Sequence, residues 1–212
     1  MRNKKLKIVA IADTHRQHWN IKIPKCNIFL FAGDAEINSL IALHDFNDWL
    51  GTIKAKHRIV IGGNHDSLLE SIGKEECKRL LSNCIYLENE SITVERLKIF
   101  GSPYTPVFNE WYFMKYDSDL KEIWDKIEKN TDILLTHTMP HGILDQVLPK
   151  EESVGSYTLL NRIKEIRPKI QIGGHLHLNG GRKYTDYKTD FYNVSVLDDF
   201  YKLVNKSTII EI

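Results

Sequence analysis

Cysteine is scarce. The chain of 212 residues holds three, Cys26, Cys77 and Cys84, an odd number without the paired spacing of a zinc ribbon or a redox motif. That argues against a disulfide framework and reads as idle thiols in a reducing cytoplasm. An excess of charge is missing too: 29 Lys plus Arg meet 28 Asp plus Glu, for a formal net charge of +1. No overall field points to a long polyanion or an acidic membrane surface, while small charged substrates remain open. No apolar run is long enough to span a bilayer. The basic start "MRNKK" is followed only by "LKIVAIA" before Asp13, too brief and without a cleavage pattern for a signal peptide. These absences predict a cytoplasmic protein. There is no "GxxxxGK[ST]" loop, which removes nucleotide-driven motors and kinases of that kind. Nor is there a repeat, a low-complexity tract or a linker, so the expectation is one domain over residues 1–212.

What is present begins with short, continuous apolar runs, each ending in Gly, Asp, Asn or His. "KIVAIAD", "CNIFLFAGD", "HRIVIGGNHD", "DILLTH" and "KIQIGGH" read as buried strands. Between them lie segments of helical period: 38–50, 68–81, 120–129 and 157–166. Alternating strand and helix predicts an α/β fold with a mainly parallel sheet and a ligand site beyond the carboxyl ends of its strands. The middle breaks this rhythm. "CIYLEN", "SITVE" and "LKIFGS", then "TDFYNVSV" and "STIIEI" in the tail, predict a second, partly antiparallel sheet packed on the first.

One segment, 102–116, "SPYTPVFNEWYFMKY", holds six aromatic residues and two prolines without a steady period. It reads either as a loop folded over the core edge or as an aromatic wall beside the site, since long irregular loops are often functional.

Five strand ends carry chemistry: Asp13 and His15 in "ADTH", Asp34 in "AGD", Asn64, His65 and Asp66 in "GGNHD", His137 in "LLTH", and His175 with His177 in "GGHLH". Singly, the acids read as helix caps and the histidines as surface groups. Independent capping does not put carboxylates and imidazoles at the ends of successive strands on one edge of one sheet. Oxygen and imidazole donors without cysteine suit Mn, Fe, Zn, Ni or Co. Asp13, His15, Asp34, Asn64, His137, His175 and His177 exceed what one tetrahedral site needs, which favours two metals.

The ordered set "DxH", "GD", "GNHD", "TH" and "GHxH" resembles the calcineurin-like metallophosphoesterases along the whole chain. The stretches "FNDWLGTIKAKHRIVIGGNHD", "SNCIYLENESITVERLKIFGSPYTPVFNEWYF" and "HGILDQVLPKEESVGSYTLL" resemble one subgroup, the metallophosphoesterase-domain-containing proteins related to brain cyclic-nucleotide phosphodiesterases. The resemblance implies a four-layer α/β/β/α sandwich of two mixed sheets flanked by helices. It implies two divalent metal ions, manganese first, with Fe, Zn, Ni or Co as alternatives. Asp13, His15 and His177 would hold one metal, Asn64, His137 and His175 the other, and Asp34 would bridge them. His65 matches the catalytic histidine and Asp66 the acid that orients it.

The chemistry accounts for these residue types. A phosphodiester is an anion that repels a nucleophile, and two metals roughly 3.5 to 4 Å apart lower the pKa of a shared water and polarise the phosphoryl oxygens. Asn64 offers a neutral oxygen to metal and an amide proton to phosphate. His65 protonates the departing alkoxide, with Asp66 expected to accept a hydrogen bond from its ring. Gly33, Gly62, Gly63, Gly173 and Gly174 precede the ligands, where strands turn sharply and a missing Cβ permits close approach of backbone to metal or phosphate; simple turn glycines are the alternative. Arg16 and His18 after "DTH" and His141 in "THTMPHG" are further candidates for substrate contact, with solvent exposure the alternative for the first two; Arg182 and Lys183 read as a solvated loop that an anionic substrate could also reach.

The expected activity is hydrolysis of a small phosphodiester, a cyclic nucleotide among them, with the base stacked on Tyr104, Phe108, Trp111 or Phe113. A nuclease, a phosphomonoesterase or a protein phosphatase on the same site is the alternative; the chain lacks a basic stripe or a groove spaced for successive bases, against long nucleic acid. A metallo-β-lactamase-type hydrolase fails because Asn179 and Gly180 follow "HLHL" near the chain end, where "HxHxDH" is required. A non-catalytic, protein-binding scaffold of this fold would be free to lose His65, which is present.

Overall fold

The computed structural model describes residues 5–149 and 152–212. Its strands are β1 (Lys7–Ile11), β2 (Cys26–Ala32), β3 (Ala55–Ile61), β4 (Ile85–Tyr86), β5 (Glu90–Val94), β6 (Leu97–Ser102), β7 (Thr105–Pro106), β8 (Met114–Lys115), β9 (Ile133–Thr136), β10 (Gln146–Val147), β11 (Glu152–Ser153), β12 (Ile170–Gly173), β13 (Lys183–Asp186), β14 (Thr189–Asn193) and β15 (Thr208–Glu211). The α-helices are α1 (Leu40–Thr52), α2 (Ser67–Ile72), α3 (Lys74–Leu80), α4 (Asp117–Trp124) and α5 (Tyr157–Ile166).

Two mixed sheets carry the architecture. The first has the order β15-β1-β2-β3-β4, parallel except for β15 on the β1 edge. The second has the order β13-β14-β12-β9-β6-β5, parallel in the middle and antiparallel at each outer pair. Alternation along the strands divides the core. Ile8 and Ala10 of β1 face Ile133 and Leu135 of β9 in the layer between the sheets, whereas Val9 and Ile11 pack outward on Phe46 and Leu50 of α1. On the far side Leu134 and Phe191 pack on Trp124 of α4 and on Leu159 and Ile163 of α5. Strands buried on both faces read as unbroken apolar runs, and this four-layer α/β/β/α sandwich is the reason they do.

The pairing differs from the sequence expectation in several strands. β9 and β12, expected in one parallel sheet with β1, β2 and β3, belong to the second sheet. β4 and β15, expected in the second, extend the first. A strand buried on both faces has the same composition in either sheet, so its partner is decided by non-local hydrogen bonds that leave no local trace. Two helices differ as well. The segment 68–81 is broken at Gly73, whose φ of +80° leaves the helical region and starts α3 afresh. The segment 120–129 begins earlier, at Asp117, and its last regular residue is Trp124, although Ile127 continues the buried stripe. Among the described residues no helix is long and apolar enough to cross a membrane.

Candidate functional site

Because two sheets lie face to face, the carboxyl ends of β1, β2 and β3 meet those of β9 and β12. The loops there are knitted together by backbone bonds: the Asp13 N–H donates to Gly33, Thr14 to Asp34, and Gly174 to His137. Asp13, His15, Asp34 and His175 all have positive φ, 55°, 38°, 60° and 68°. Such conformations are costly for residues with a Cβ and cluster where surrounding structure over-determines them. Glycine is required where ligands crowd the backbone. A Cβ on Gly63 would strike the Asp34 carboxylate and the His137 ring, and one on Gly174 would strike the Asp13 carboxylate.

Two donor groups result, Asp13 with His15 and His177, and Asp34 with His137 and His175; within each, one donor atom per residue lies within 4.8 Å of the others. Asp34 Oδ2 lies 3.4 Å from His137 Nε2 and 3.9 Å from His15 Nε2, so one carboxylate reaches both groups. Asn64 Oδ1 adds a neutral oxygen 2.9 Å from His137 Nε2. The backbone fixes the imidazoles from behind. His137 Nδ1 is 2.7 Å from the Ala32 carbonyl and His177 Nδ1 is 3.0 Å from the Asp198 carbonyl. A carbonyl only accepts, so each Nδ1 carries the proton it donates and Nε2 is the nitrogen turned to the site. Asp13 is oriented by Ser195, whose hydroxyl donates to Oδ2 at 2.6 Å, and by the His175 N–H at 3.0 Å.

The electrostatics are those of a packed acid and imidazole cluster. Burial alone would lower the pKa of His137, but Asp34 beside it raises it to about 9. Burial likewise opposes and Asp13 raises His177, again to about 9. Desolvation and the neighbouring His137 push His175 down to about 3. Burial opposes ionisation of Asp34, yet His137 and His15 hold its carboxyl well below the ordinary range.

These residues fit divalent cations. Both ring nitrogens of His15 and the Asn64 Nδ2 are buried without a hydrogen-bond partner, a costly state for polar atoms. A cation held by Asp13, His15 and His177 would satisfy an imidazole nitrogen of His15. The oxygen and imidazole donor set suits Mn, Fe, Zn, Ni or Co and leaves the metal's identity open.

His65 stands at the mouth. Its N–H donates 2.8 Å to Asp34 Oδ1, its ring lies 4.8 Å from that of His15, and Trp111 covers it at 4.2 Å. Asp66 does not meet the expected partner. Its carboxylate accepts from the backbone N–H groups of Asp34 at 3.0 Å, Gly63 at 2.9 Å and Ile37 at 2.9 Å, none of them on the His65 ring. It is buried, and it staples the loop after β2 to the loop after β3.

The other candidates for substrate contact are held by partners of their own. Arg16 is turned to Asn38 Oδ1, 2.5 Å away, and to the Glu36 carbonyl. His141 stacks on Tyr157 at 3.5 Å, with Asp145 at 3.8 Å. His18 is buried against Phe46 and Trp49 and bonded to Asp45 at 2.9 Å. Lys183 pairs with Asp190 at 2.8 Å, and Arg182 reaches Asn179 at 3.5 Å. In the aromatic segment, Phe113 is fully buried and Tyr104 packs edge-on against it. That anchor, with the Tyr112 N–H bonded to the Asn64 carbonyl, holds Phe108 and Trp111 over the site. Phe108 lies 5.3 Å from the His175 ring.

Ser195, Asp198, Asp199 and Tyr201 were not legible as site residues. A cavity of about 200 Å³ is lined by Asp34, Asn64, His65, Phe108, His175, His177, Asp199 and Tyr201. The Tyr201 ring meets that of His15 at 4.7 Å, and its carbonyl accepts from Gln17. The acidic, aromatic stretch "LDDFY" was a signal that could have marked this loop.

A four-layer sandwich with paired oxygen and imidazole groups at the joint carboxyl edges defines a metallophosphoesterase-type fold and site. The family model described as calcineurin-like phosphoesterase matches residues 6–179, and the chain belongs to that family of metal-dependent phosphoesterases. It is 32% identical to metallophosphoesterase domain-containing protein 1 of Homo sapiens, over 97% of this chain and 71% of that protein. It is also 32% identical to a UPF0046 protein of Caenorhabditis elegans, over 98% of this chain and 60% of that one. Among solved structures, the protein TT1561 of Thermus thermophilus superposes with a TM-score of 0.60 at 13% identity, covering 97% of this chain and 99% of that one. GAP50, the anchor in the inner membrane complex of Plasmodium, superposes with a TM-score of 0.55 at 13% identity, covering 98% and 81%. At these identities the structural likenesses speak for the fold alone.

Proposed function

We propose that the chain hydrolyses a small phosphodiester, cyclic nucleotides among the substrates, on a centre of two divalent metals with manganese the first choice. The observation that carries this reading is Asp34 Oδ2 lying within reach of imidazoles from both donor groups. Bound cations would neutralise the phosphoryl oxygens and acidify a water. Asp13, His15 and His177 would hold one of them, and Asn64, His137 and His175 the other. The Asn64 amide, unpartnered and buried, donates to a phosphate oxygen. His65, half-buried at the mouth, gives a proton to the departing alkoxide. Phe108 and Trp111 supply aromatic faces beside that path. Asp66 acts one step removed, as a positioning residue for the loops that carry Asp34 and Asn64. The three cysteines are free thiols, which supports a cytoplasmic setting.

A non-catalytic, protein-binding role on the same fold is the alternative reading. The two are separated by a matrix of Mn, Ni and Zn against cyclic nucleotides, aryl mono- and diesters and single-stranded nucleic acid. Turnover of small diesters is expected. Folded, metal-loaded protein inactive on every phosphoester favours the scaffold, and activity confined to nucleic acid overturns the substrate class.

A further inference from the structure

We propose that the cavity beside His175 is a specificity pocket that takes an uncharged aryl group on the ester arm that is not cleaved. This deepens the phosphodiesterase reading and rests on it. The cavity, about 430 Å³, lies between Val107 and Phe108 of the aromatic segment and Val147 and Val154 of the β10–β11 hairpin, with His175 and Leu176 at its base. That volume suits a small organic group.

Its lining is mainly apolar, and several of the polar groups that border it are already bonded. The Thr105 hydroxyl donates to the Pro106 carbonyl at 3.2 Å. The N–H groups of Thr105, Val107, Val154 and Leu176 donate to the carbonyls of Phe113, Lys115, Asp145 and Gly174, and that of His175 to Asp13. No Asp, Glu, Lys or Arg among the described residues lines it. A nucleobase edge placed there would meet few groups able to replace its bonds to water. A hydrocarbon ring loses nothing, and it covers Val107, Phe108 and Val154, which stand 42%, 52% and 39% exposed.

The pocket is joined to the reacting centre. Phe108 and His175 line both this cavity and the smaller one over Asp34, Asn64 and His65. His65, which protonates the leaving oxygen, does not line the apolar cavity and packs instead against His15 and Trp111. The cleaved arm therefore departs on the His65 side and the retained arm lies toward Val147 and Val154.

The experiment uses the full chain loaded with manganese and three diesters that share a p-nitrophenolate leaving group but carry methyl, phenyl or 5′-thymidyl as the retained arm. The phenyl ester is expected to exceed the methyl ester in kcat/KM by about 10-fold or more, and to exceed the thymidyl ester. Val154→Asp brings phenyl and methyl toward parity, and Val154→Ala falls between. Equal methyl and phenyl values, a thymidyl preference, or a phenyl preference untouched by Val154→Asp overturns the pocket. Absence of turnover on all three is a failure of the catalytic reading, and the pocket is then read by calorimetry. Phenylphosphonate binding about 10-fold tighter than methylphosphonate supports it, and equal affinities overturn it.

Discussion

His137 Nε2 lies 3.4 Å from Asp34 Oδ2 while its Nδ1 donates to the Ala32 carbonyl at 2.7 Å. The strand β2 thus provides both the carboxylate, through its end, and the carbonyl that fixes the tautomer of the imidazole facing it. Ala32 and Asp34 belong to one sheet and its outgoing loop and His137 to the other, so this pair is also a weld between the sheets at their carboxyl edge.

Asp34 lies within 4 Å of imidazoles from both donor groups, and the proposed bridging role means that its removal acts on both. Asp34→Ala is expected to lower metal content at both together, with activity falling at least about 100-fold, on the order of one lost transition-state charge contact. Metal analysis of the purified variant checks this. Full retention of one equivalent alongside loss of the other would show that Asp34 serves a single metal.

His175 and His177 are neighbours in sequence but belong to different groups. His175→Ala and His177→Ala are each expected to depopulate a different site. Manganese titration followed by electron paramagnetic resonance distinguishes a spin-coupled pair from the isolated ion each variant would keep. The same residual signal from both variants would contradict the division.

His65 contributes no atom to either donor group. His65→Ala should keep metal content and slow turnover by roughly 10² to 10⁴, most on esters with poor leaving groups. A plot of rate against leaving-group pKa reads this directly. Unchanged slope, or loss of metal, removes its assignment as the acid.

Asp66 gathers three backbone N–H groups and touches no part of the His65 ring through them. Asp66→Asn replaces an acceptor of two N–H groups, Oδ2, with an arrangement unable to serve all three. The expected cost is about 1–3 kcal/mol of folding stability, read by denaturant unfolding of metal-free protein. A variant of wild-type stability whose pH profile moves only in the limb assigned to His65 would restore the acid-orienting role.

The sequence by itself determined the family and marked the candidate donors. Parallel strands buried on both faces must read as apolar runs, and their ends must change abruptly to Asp, Asn, His and Gly where chain leaves the core; both signals are local. The helix over 157–166 was legible for the same reason, since Ser156 caps it through the Leu159 N–H and Leu159, Ile163 and Ile166 mark one face. Only the tertiary structure decided that β9 and β12 sit in the second sheet, because pairing is a matter of long-range hydrogen bonds to which a doubly buried strand is indifferent. It likewise turned Asp66 from the imidazole to the backbone. It took Arg16, His18 and His141 into local partnerships, and it brought Ser195 and Tyr201, from the far end of the chain, to Asp13 and His15 near its start. Those contacts depend on how two sheets are stacked, and stacking leaves no spacing in the sequence.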